Sequence, residues 1–329
     1  MNSFQKQACT CLFNIECIGV NVMYLFSLML LTYVAVFLFG MILMRIGFEN
    51  LSKNQLQQVK PNQSIFVGLA IGFLFTLILQ SSSVSIALLI SFYAAYQLSI
   101  PFAICYIIGA NIGTTLTAQL FIWNNEQLMI ASLLLGFLFL FVRKRLYFLL
   151  GTILFGLGVI FSALGGLENL ANQVPSSVYA TLNNGQTNQP LGLFLFGVSV
   201  TSVIQSSTAF TGILMSFSSA GKIPLIDIYY LLLGANIGTC VTVLLMSLTH
   251  TTSVRIIAYI HLWVNVIGGM IFFHPLVGQA LADLSVRFAA DPKQAIVVLA
   301  FLYNLAVGVL FLLILKPFTR MIGAVHRVR

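Results

Sequence analysis

Long apolar stretches alternate with short polar segments along most of this chain. Several exceed about 18 residues without an ionisable side chain, the length at which an α-helix can cross a bilayer. The predicted spans are 22–44, 101–123, 128–142, 146–164, 224–249, 254–273 and 294–315. Two further stretches, 64–97 and 191–220, are each interrupted at the middle by polar residues. Continuous apolar runs do not fit the alternating strands of a β-barrel, so the pattern predicts an all-α, polytopic membrane protein.

The composition supports this class. Hydrophobic residues make up 59% of the chain and charged residues 7%, which is too little charge to cover a water-soluble domain. The net charge is +8, but the basic residues lie between predicted helices and near the C-terminus. This distribution indicates orientation in a membrane and not nucleic-acid binding. The first apolar run is too long for a signal-peptide core and is predicted to be a retained helix.

The basic residues also bear on the two interrupted stretches. If each is a re-entrant hairpin that leaves on the side it entered, most basic segments share the cytoplasmic side with the C-terminus. The basic residues predicted on the cytoplasmic side are Arg45, Lys53, Lys60, Arg143, Lys144, Arg145, Arg255, Lys316, Arg320, Arg327 and Arg329. The basic residues predicted on the outer side are Lys6, Lys222, Arg287 and Lys293. Simple crossings would place the basic segments on alternating sides. We therefore predict two hairpins and no charged residue inside a confident span.

The centre of each hairpin is one copy of an internal duplication. Gln80-Ser81-Ser82 recurs as Gln205-Ser206-Ser207, at an offset of 125 residues. The same offset carries an identical hexapeptide, Gly109-Ala110-Asn111-Ile112-Gly113-Thr114, onto Gly234-Ala235-Asn236-Ile237-Gly238-Thr239. An odd number of predicted spans separates the hairpins, so the second copy is expected to be inverted, with the two polar tips meeting near the bilayer midplane. We predict one transmembrane domain over 1–329, with repeats at 64–123 and 191–249 and the remaining helices as a scaffold.

A helix broken inside a membrane exposes backbone groups that need new partners. The half-helix after each break presents N–H groups and a partial positive charge that favour an oxyanion. Hydroxyl and amide donors near the breaks add to this preference, whereas carbonyl ends with Asn and Thr oxygens suit a hard cation such as Na⁺. The absence of intramembrane carboxylates disfavours a proton relay. Cation-coupled anion transport is the function that this chemistry favours.

Several polar and small residues have simpler interpretations. The Gly-xxx-Gly spacing of both hexapeptides also fits close helix packing. His261 is expected to be a buried hydrogen-bonding residue, because no second histidine or carboxylate lies at helical spacing. Asn265 and Asn304 either brace helices or line the site, and bracing is favoured. Cys105 and Cys240, in apolar stretches, are expected to be free and to behave as small hydrophobic residues.

The paired Gln-Ser-Ser stretches and twin Gly-Ala-Asn-Ile-Gly-Thr segments resemble the type II sodium/phosphate cotransporter family, and its bacterial members most closely. The resemblance covers about 22–322 and includes the segments around His261, Asn265, Tyr303 and Asn304. It implies phosphate binding by Gln80, Ser81, Ser82, Ser83, Gln205, Ser206, Ser207 and Thr208. It implies sodium binding by Thr76, Asn111, Thr114, Thr115, Thr201, Asn236 and Thr239. The third hydroxyl differs between the copies, Ser83 against Thr208, which would tune binding.

The resemblance therefore implies a sodium-coupled, alternating-access phosphate transporter of the bacterial inner membrane, with no cofactor other than sodium as the coupling ion. A homodimer is a further expectation. Some bacterial relatives carry a PhoU-like helical domain after the last membrane helix, and this sequence ends at Arg329, so such regulation is expected to come from a separate protein or to be missing. The alternatives are sodium-coupled transport of another small anion, such as sulfate or a carboxylate, and a non-transporting sensor. No catalytic constellation is visible, so an enzyme is not expected.

Overall fold

The structure is a computed structural model, and it describes residues 15–56, 63–173, 190–219, 221 and 223–326. Within these ranges all regular structure is helical, as predicted. The α-helices are α1 (Ile15–Leu56), α2 (Ile65–Leu79), α3 (Ser82–Tyr96), α4 (Ile100–Thr117), α5 (Glu126–Leu140), α6 (Arg145–Gln173), α7 (Pro190–Ile204), α8 (Ser207–Ser219), α9 (Leu225–Ser247), α10 (Thr252–Phe272), α11 (Pro275–Phe288), α12 (Pro292–Leu313) and α13 (Leu315–His326), with a 3-10 helix at Ala118–Trp123. Six of the described helices are long and apolar enough to cross a membrane.

Both interrupted stretches contain a helix break at the position that their polar residues predict. α2 gives way to α3 at Gln80 and Ser81, and α7 gives way to α8 at Gln205 and Ser206. Each of α2, α3 and α7 has 15 residues, or about 22 Å of helix at 1.5 Å per residue, which is less than the roughly 30 Å of a bilayer core. Helices this short on both sides of the break are compatible with the predicted re-entrant hairpins, which stay a prediction.

Other boundaries differ from the sequence prediction. α1 does not stop at Met44 but continues to Leu56, because no proline interrupts the segment, so Arg45 lies on the helix and inside the candidate span Tyr24–Leu51. The prediction that no charged residue lies in a confident span is therefore wrong at this position. The loop predicted from Gly165 also starts late, since α6 runs to Gln173 and residues 174–189 lie outside the described part.

Two segments predicted as irregular are helices. α11 occupies the loop predicted to contain Asp283 and Arg287, and α13 occupies the basic tail. Both carry charged residues on one side and apolar residues on the other, a pattern that a search for continuous apolar runs does not detect. Lys6, Lys60, Lys222, Arg327 and Arg329 lie outside the described residues, and the side chain of Lys53 is also outside them.

The duplication extends to three-dimensional packing. α2 packs against α4, and α7 packs against α9. A Cβ added at Gly72 would lie 2.0 Å from the carbonyl oxygen of Tyr106, and one added at Gly197 would lie 2.2 Å from that of Leu231. The 125-residue offset relates Gly72 to Gly197 and Tyr106 to Leu231, so the two contacts are equivalent. The close-packing interpretation of the glycines is confirmed at the hexapeptides, where the Cβ of an alanine at Gly109 or Gly234 would lie 2.0 Å from a carbonyl oxygen on the neighbouring helix.

The long helices α1 and α6 pack against each other beside the repeats, with close backbone approach at Gly40 and Gly156. The start of α12 is tied to the end of α6 by an ion pair between Lys293 Nζ and Glu168 Oε2 at 2.7 Å. These two chain segments therefore lie at the same end of the molecule.

Candidate functional site

The two helix breaks, Gln80-Ser81 (tip one) and Gln205-Ser206 (tip two), have similar backbone geometry. Gln80 and Gln205 have φ angles of 53° and 59°, in the left-handed region that residues other than glycine rarely occupy. The serine that follows each glutamine caps the next helix: Ser81 Oγ accepts from Val84 N at 3.4 Å, and Ser206 Oγ accepts from Ala209 N at 3.1 Å. A strained residue kept twice at equivalent positions is typical of a functional constraint.

The tips converge on one cavity of about 210 Å³, which we call the tip cavity. Its polar lining comes from both Gln-Ser-Ser copies, from α9 and from α1: Ser81, Ser83, Gln205, Ser206, Thr242 and Arg45. The structure thus brings together four of the eight predicted phosphate ligands, although the copies are 125 residues apart in sequence. These polar groups are hydroxyl, amide and guanidinium groups, and no acidic side chain among the described residues lines the cavity.

A second, enclosed cavity of about 20 Å³ lies where tip two meets α4, α9 and α12, and we call it the inner cavity. Its polar lining is Thr114, Thr115, Ser207, Thr208, Thr211, Asn236, Tyr303 and Asn304. The volume is close to that of a single water or a dehydrated monovalent cation. It therefore joins predicted sodium ligands, Thr114, Thr115 and Asn236, to two predicted phosphate ligands, Ser207 and Thr208.

Two predicted sodium ligands have hydroxyl groups without partners. Thr76 and Thr201 are fully buried, and neither Oγ1 has a hydrogen-bond partner. They are equivalent positions, each packed on the second glycine of its repeat's hexapeptide, Gly113 and Gly238. An unsatisfied buried hydroxyl costs about 1–3 kcal/mol, and such a group is explained when a bound ion or water satisfies it.

The remaining predicted ligands lie outside both cavities. Gln80 donates to the Leu77 carbonyl at 2.6 Å, and Ser82 is buried in the first turn of α3. Asn111 donates to Asn265 Oδ1 at 3.1 Å, and Thr239 donates to the Asn236 carbonyl at 2.7 Å. The donor groups of Gln80, Asn111 and Thr239 bond within the protein, and their predicted ligand roles stay predictions.

Asn265 and Asn304 brace the repeats, as favoured from the sequence. Asn265 accepts from Asn111, and Asn304 accepts from Asn236 at 3.5 Å, so α10 holds one copy of the hexapeptide and α12 the other. Asn304 also lines the inner cavity, a role that was not favoured. His261 is fully buried, with Nε2 3.9 Å from Cys240 Sγ, and both Cys105 and Cys240 are free. No group of three potential metal-ligating residues occurs among the described residues.

One junction differs between the halves. Thr117 Oγ1 on α4 lies 3.3 Å from Thr208 Oγ1 at tip two. The equivalent residues, Thr242 on α9 and Ser83 at tip one, line the open tip cavity, and Thr242 Oγ1 has no partner. Each pair joins one repeat to the other, and the hydroxyl groups meet at Thr117 and Thr208, whereas the equivalent residues Ser83 and Thr242 face the tip cavity.

Sequence reasoning missed Arg45, Thr211, Thr242 and Tyr303 as cavity residues, and for Asn304 it favoured bracing over lining the site. Arg45 was assigned to a loop because the apolar run ends at Met44, although nothing after it breaks a helix. Thr242 could have been found from the duplication, because it matches Thr117 at the shared offset. Tyr303 and Asn304 come from a helix outside the repeats, and the sequence gives no register that would place them.

The fold and the site together define a multi-pass helical membrane protein with a polar cavity between duplicated, broken helices. Residues 36–169 and 166–290 each match the family model described as Na+/Pi-cotransporter. The chain therefore belongs to the Na+/Pi-cotransporter family, which consists of membrane transporters and not of enzymes. The double match agrees with the internal duplication.

Two groups of relatives give context. The chain is 32% identical over 303 residues to the protein of Bacillus subtilis (strain 168) named "Uncharacterized protein YqeW", covering 90% of this chain and 97% of that protein. It is 25% identical over 306 residues to the Escherichia coli (strain K12) protein named "Putative inorganic phosphate export protein YjbB", covering 91% of this chain. The match spans 55% of the Escherichia coli protein, so about half of that protein has a counterpart here. No solved structure matches the chain.

Proposed function

We propose that this protein is a secondary transporter that moves inorganic phosphate across a membrane, coupled to sodium, by alternating access to a site between two inverted repeats. Family membership and the name of the Escherichia coli relative support phosphate as the substrate. The observation that carries the proposal is the tip cavity, where donors from both Gln-Ser-Ser copies meet. A tetrahedral oxyanion presents acceptors on every side, and the cavity presents donors from several elements.

Sodium coupling is proposed from the oxygen-rich positions beside the tip cavity. The partnerless hydroxyls of Thr76 and Thr201 are fully buried at equivalent places, and the inner cavity has the size of one small ion. Na⁺ prefers neutral hydroxyl and carbonyl oxygens, and these groups sit at the ends of interrupted helices, where backbone carbonyls are free. A cation bound here would offset the charge of a phosphate in the tip cavity.

The test is phosphate flux in proteoliposomes under an imposed sodium gradient, measured in both directions. We expect sodium-dependent phosphate movement by the wild-type protein. Ser83→Ala and Ser206→Ala each remove a cavity hydroxyl, and each is expected to lower the apparent phosphate affinity about tenfold, the effect of losing one hydrogen bond to a charged group.

Ser199→Ala is the matched control, since Ser199 is an exposed α7 serine bonded to its own helix and is expected to behave as wild type. Phosphate flux that does not respond to sodium would refute the coupling. The absence of phosphate flux, with sodium-dependent movement of sulfate or a carboxylate, would instead replace the substrate.

A further inference from the structure

Among the described residues that line the tip cavity, Arg45 is the one with a charged side chain. It lies on α1, inside the candidate span Tyr24–Leu51 and outside the duplicated Gln-Ser-Ser segments. A charged residue within an apolar span is costly and is retained where it has a partner or a function. The exposed basic turn at Arg143, by contrast, has the solvent-facing placement expected of a residue that only sets membrane orientation.

No ion pair among the described residues explains the position of the Arg45 guanidinium. Its Nε is buried without a hydrogen bond, and no carboxylate oxygen in the described part of the chain lies within 4 Å of it. Glu49, one turn further along α1, is near enough to attract it electrostatically. A guanidinium stays charged and offers five N–H donors in a planar fork that matches two oxygens of a carboxylate or phosphate.

The rest of the lining has the same polarity. Thr242 is 5% exposed, and its Oγ1 has no partner, so a second buried polar group at the cavity is unsatisfied. Ser83 in the first turn of α3 and Ser206, the residue that caps α8, add hydroxyl groups to the lining. One positive charge and several donors, with no carboxylate, indicate an anion as the occupant.

We propose that Arg45 is a direct ligand of the transported oxyanion and supplies a fixed positive charge to its binding site. The inference rests on the proposed function and deepens it. A residue from the long helix α1, and not only the repeats, then completes the site. Because the protein itself offsets one negative charge, the site favours a doubly charged oxyanion over its singly charged form.

The experiment compares Arg45→Gln and Arg45→Lys with wild type. Phosphate binding to the purified protein in detergent gives the dissociation constant, and flux in proteoliposomes gives KM. Loss of a charge-assisted hydrogen bond predicts that Arg45→Gln raises both values roughly 10- to 100-fold. Arg45→Lys keeps the charge but not the fork, so its values are expected to lie between those of wild type and Arg45→Gln.

Arg143→Gln is the matched control, because it removes the same charge from an exposed turn outside the cavity, and its phosphate affinity is expected to equal that of wild type. The affinity is also measured as pH falls and phosphate becomes singly charged. The wild type is expected to lose more affinity than Arg45→Gln, a difference that a purely structural role of Arg45 would not produce.

An Arg45→Gln variant that binds phosphate as tightly as wild type overturns the inference. Elution as a single symmetrical peak in size-exclusion chromatography establishes that each variant is folded. If Arg45→Gln fails this check, the test rests on Arg45→Lys. A phosphate dissociation constant of Arg45→Lys equal to that of wild type then overturns the proposed contact between Arg45 and phosphate. Failure of the wild type to bind phosphate refutes the proposed substrate instead, and sulfate binding that depends on Arg45 would then retain the oxyanion role.

Discussion

Gly109→Ala tests the packing that holds each broken helix against its partner. The added Cβ would lie 2.0 Å from the Leu69 carbonyl oxygen, and ordinary contact requires about 3.4 Å, so α2 and α4 must separate by about 1.4 Å or bend. The atom in the way is backbone and cannot rotate aside. Overpacking of this kind typically costs about 1–3 kcal/mol, and the rigid backbone places this position at the upper end of that range.

The assay is thermal unfolding of the purified protein, followed by fluorescence-detected size-exclusion chromatography. The internal duplication supplies a replicate, because Gly234→Ala meets the Phe194 carbonyl oxygen at the same 2.0 Å and is expected to lower the melting temperature equally. Gly165→Ala is the control, since nothing lies within 4 Å of its added Cβ, and alanine in a helix gains about 1 kcal/mol over glycine. If Gly109→Ala is as stable as Gly165→Ala, the close-packing argument is wrong.

Three further predictions concern the site and its supports. Thr201→Val is expected to raise the sodium concentration for half-maximal flux about tenfold without loss of thermal stability, because the Thr201 hydroxyl has no protein partner. Thr201→Ser keeps the hydroxyl and should behave as wild type. An unchanged sodium dependence of Thr201→Val would remove Thr201 from the site. The hydroxyls of Thr117 and Thr208 lie 3.3 Å apart, so cysteines substituted at both positions are expected to form a disulfide under oxidation and to stop flux until a reductant is added. Unchanged flux in the cross-linked protein would show that this junction does not move. Lys293→Ala is expected to cost up to about 1 kcal/mol of stability, and exchange of the Lys293 and Glu168 charges should recover it, so a failed recovery would count against the ion pair.

The position of each break could be predicted from sequence because three adjacent polar residues are costly inside a continuous apolar membrane helix. Gln80 and Gln205 lie at those breaks. The equivalence of the tips could also be predicted, since the offset is constant over both motifs. Helix ends were less predictable. Hydropathy marks where a helix leaves apolar surroundings, whereas α1 and α6 continue for as long as their backbone is unbroken.

The composition of the cavities could be predicted only in part. Ser83 and Ser206 belong to the repeated motif, so chemistry and duplication pointed to them. Arg45 and Tyr303 reach the cavities from helices outside the motifs, and their placement depends on how α1 and α12 pack in three dimensions. Spacing along the chain carries no information about that packing. Asn111 shows a second consequence of packing, because its amide Nδ2 donates to Asn265 on α10, a contact that spacing along the chain does not reveal.

The junction that is closed at Thr117 and Thr208 and open at Ser83 and Thr242 has an energetic consequence. Both arrangements are built from the same positions of one duplicated segment, so closing one while opening the other exchanges like contacts for like. Two states related in this way differ little in free energy, and a modest difference in ligand affinity is enough to shift their populations. In the alternating-access cycle proposed above, the duplication would therefore make the two forms nearly equal in free energy, a property that a single-copy fold would have to reach by balancing unrelated interactions.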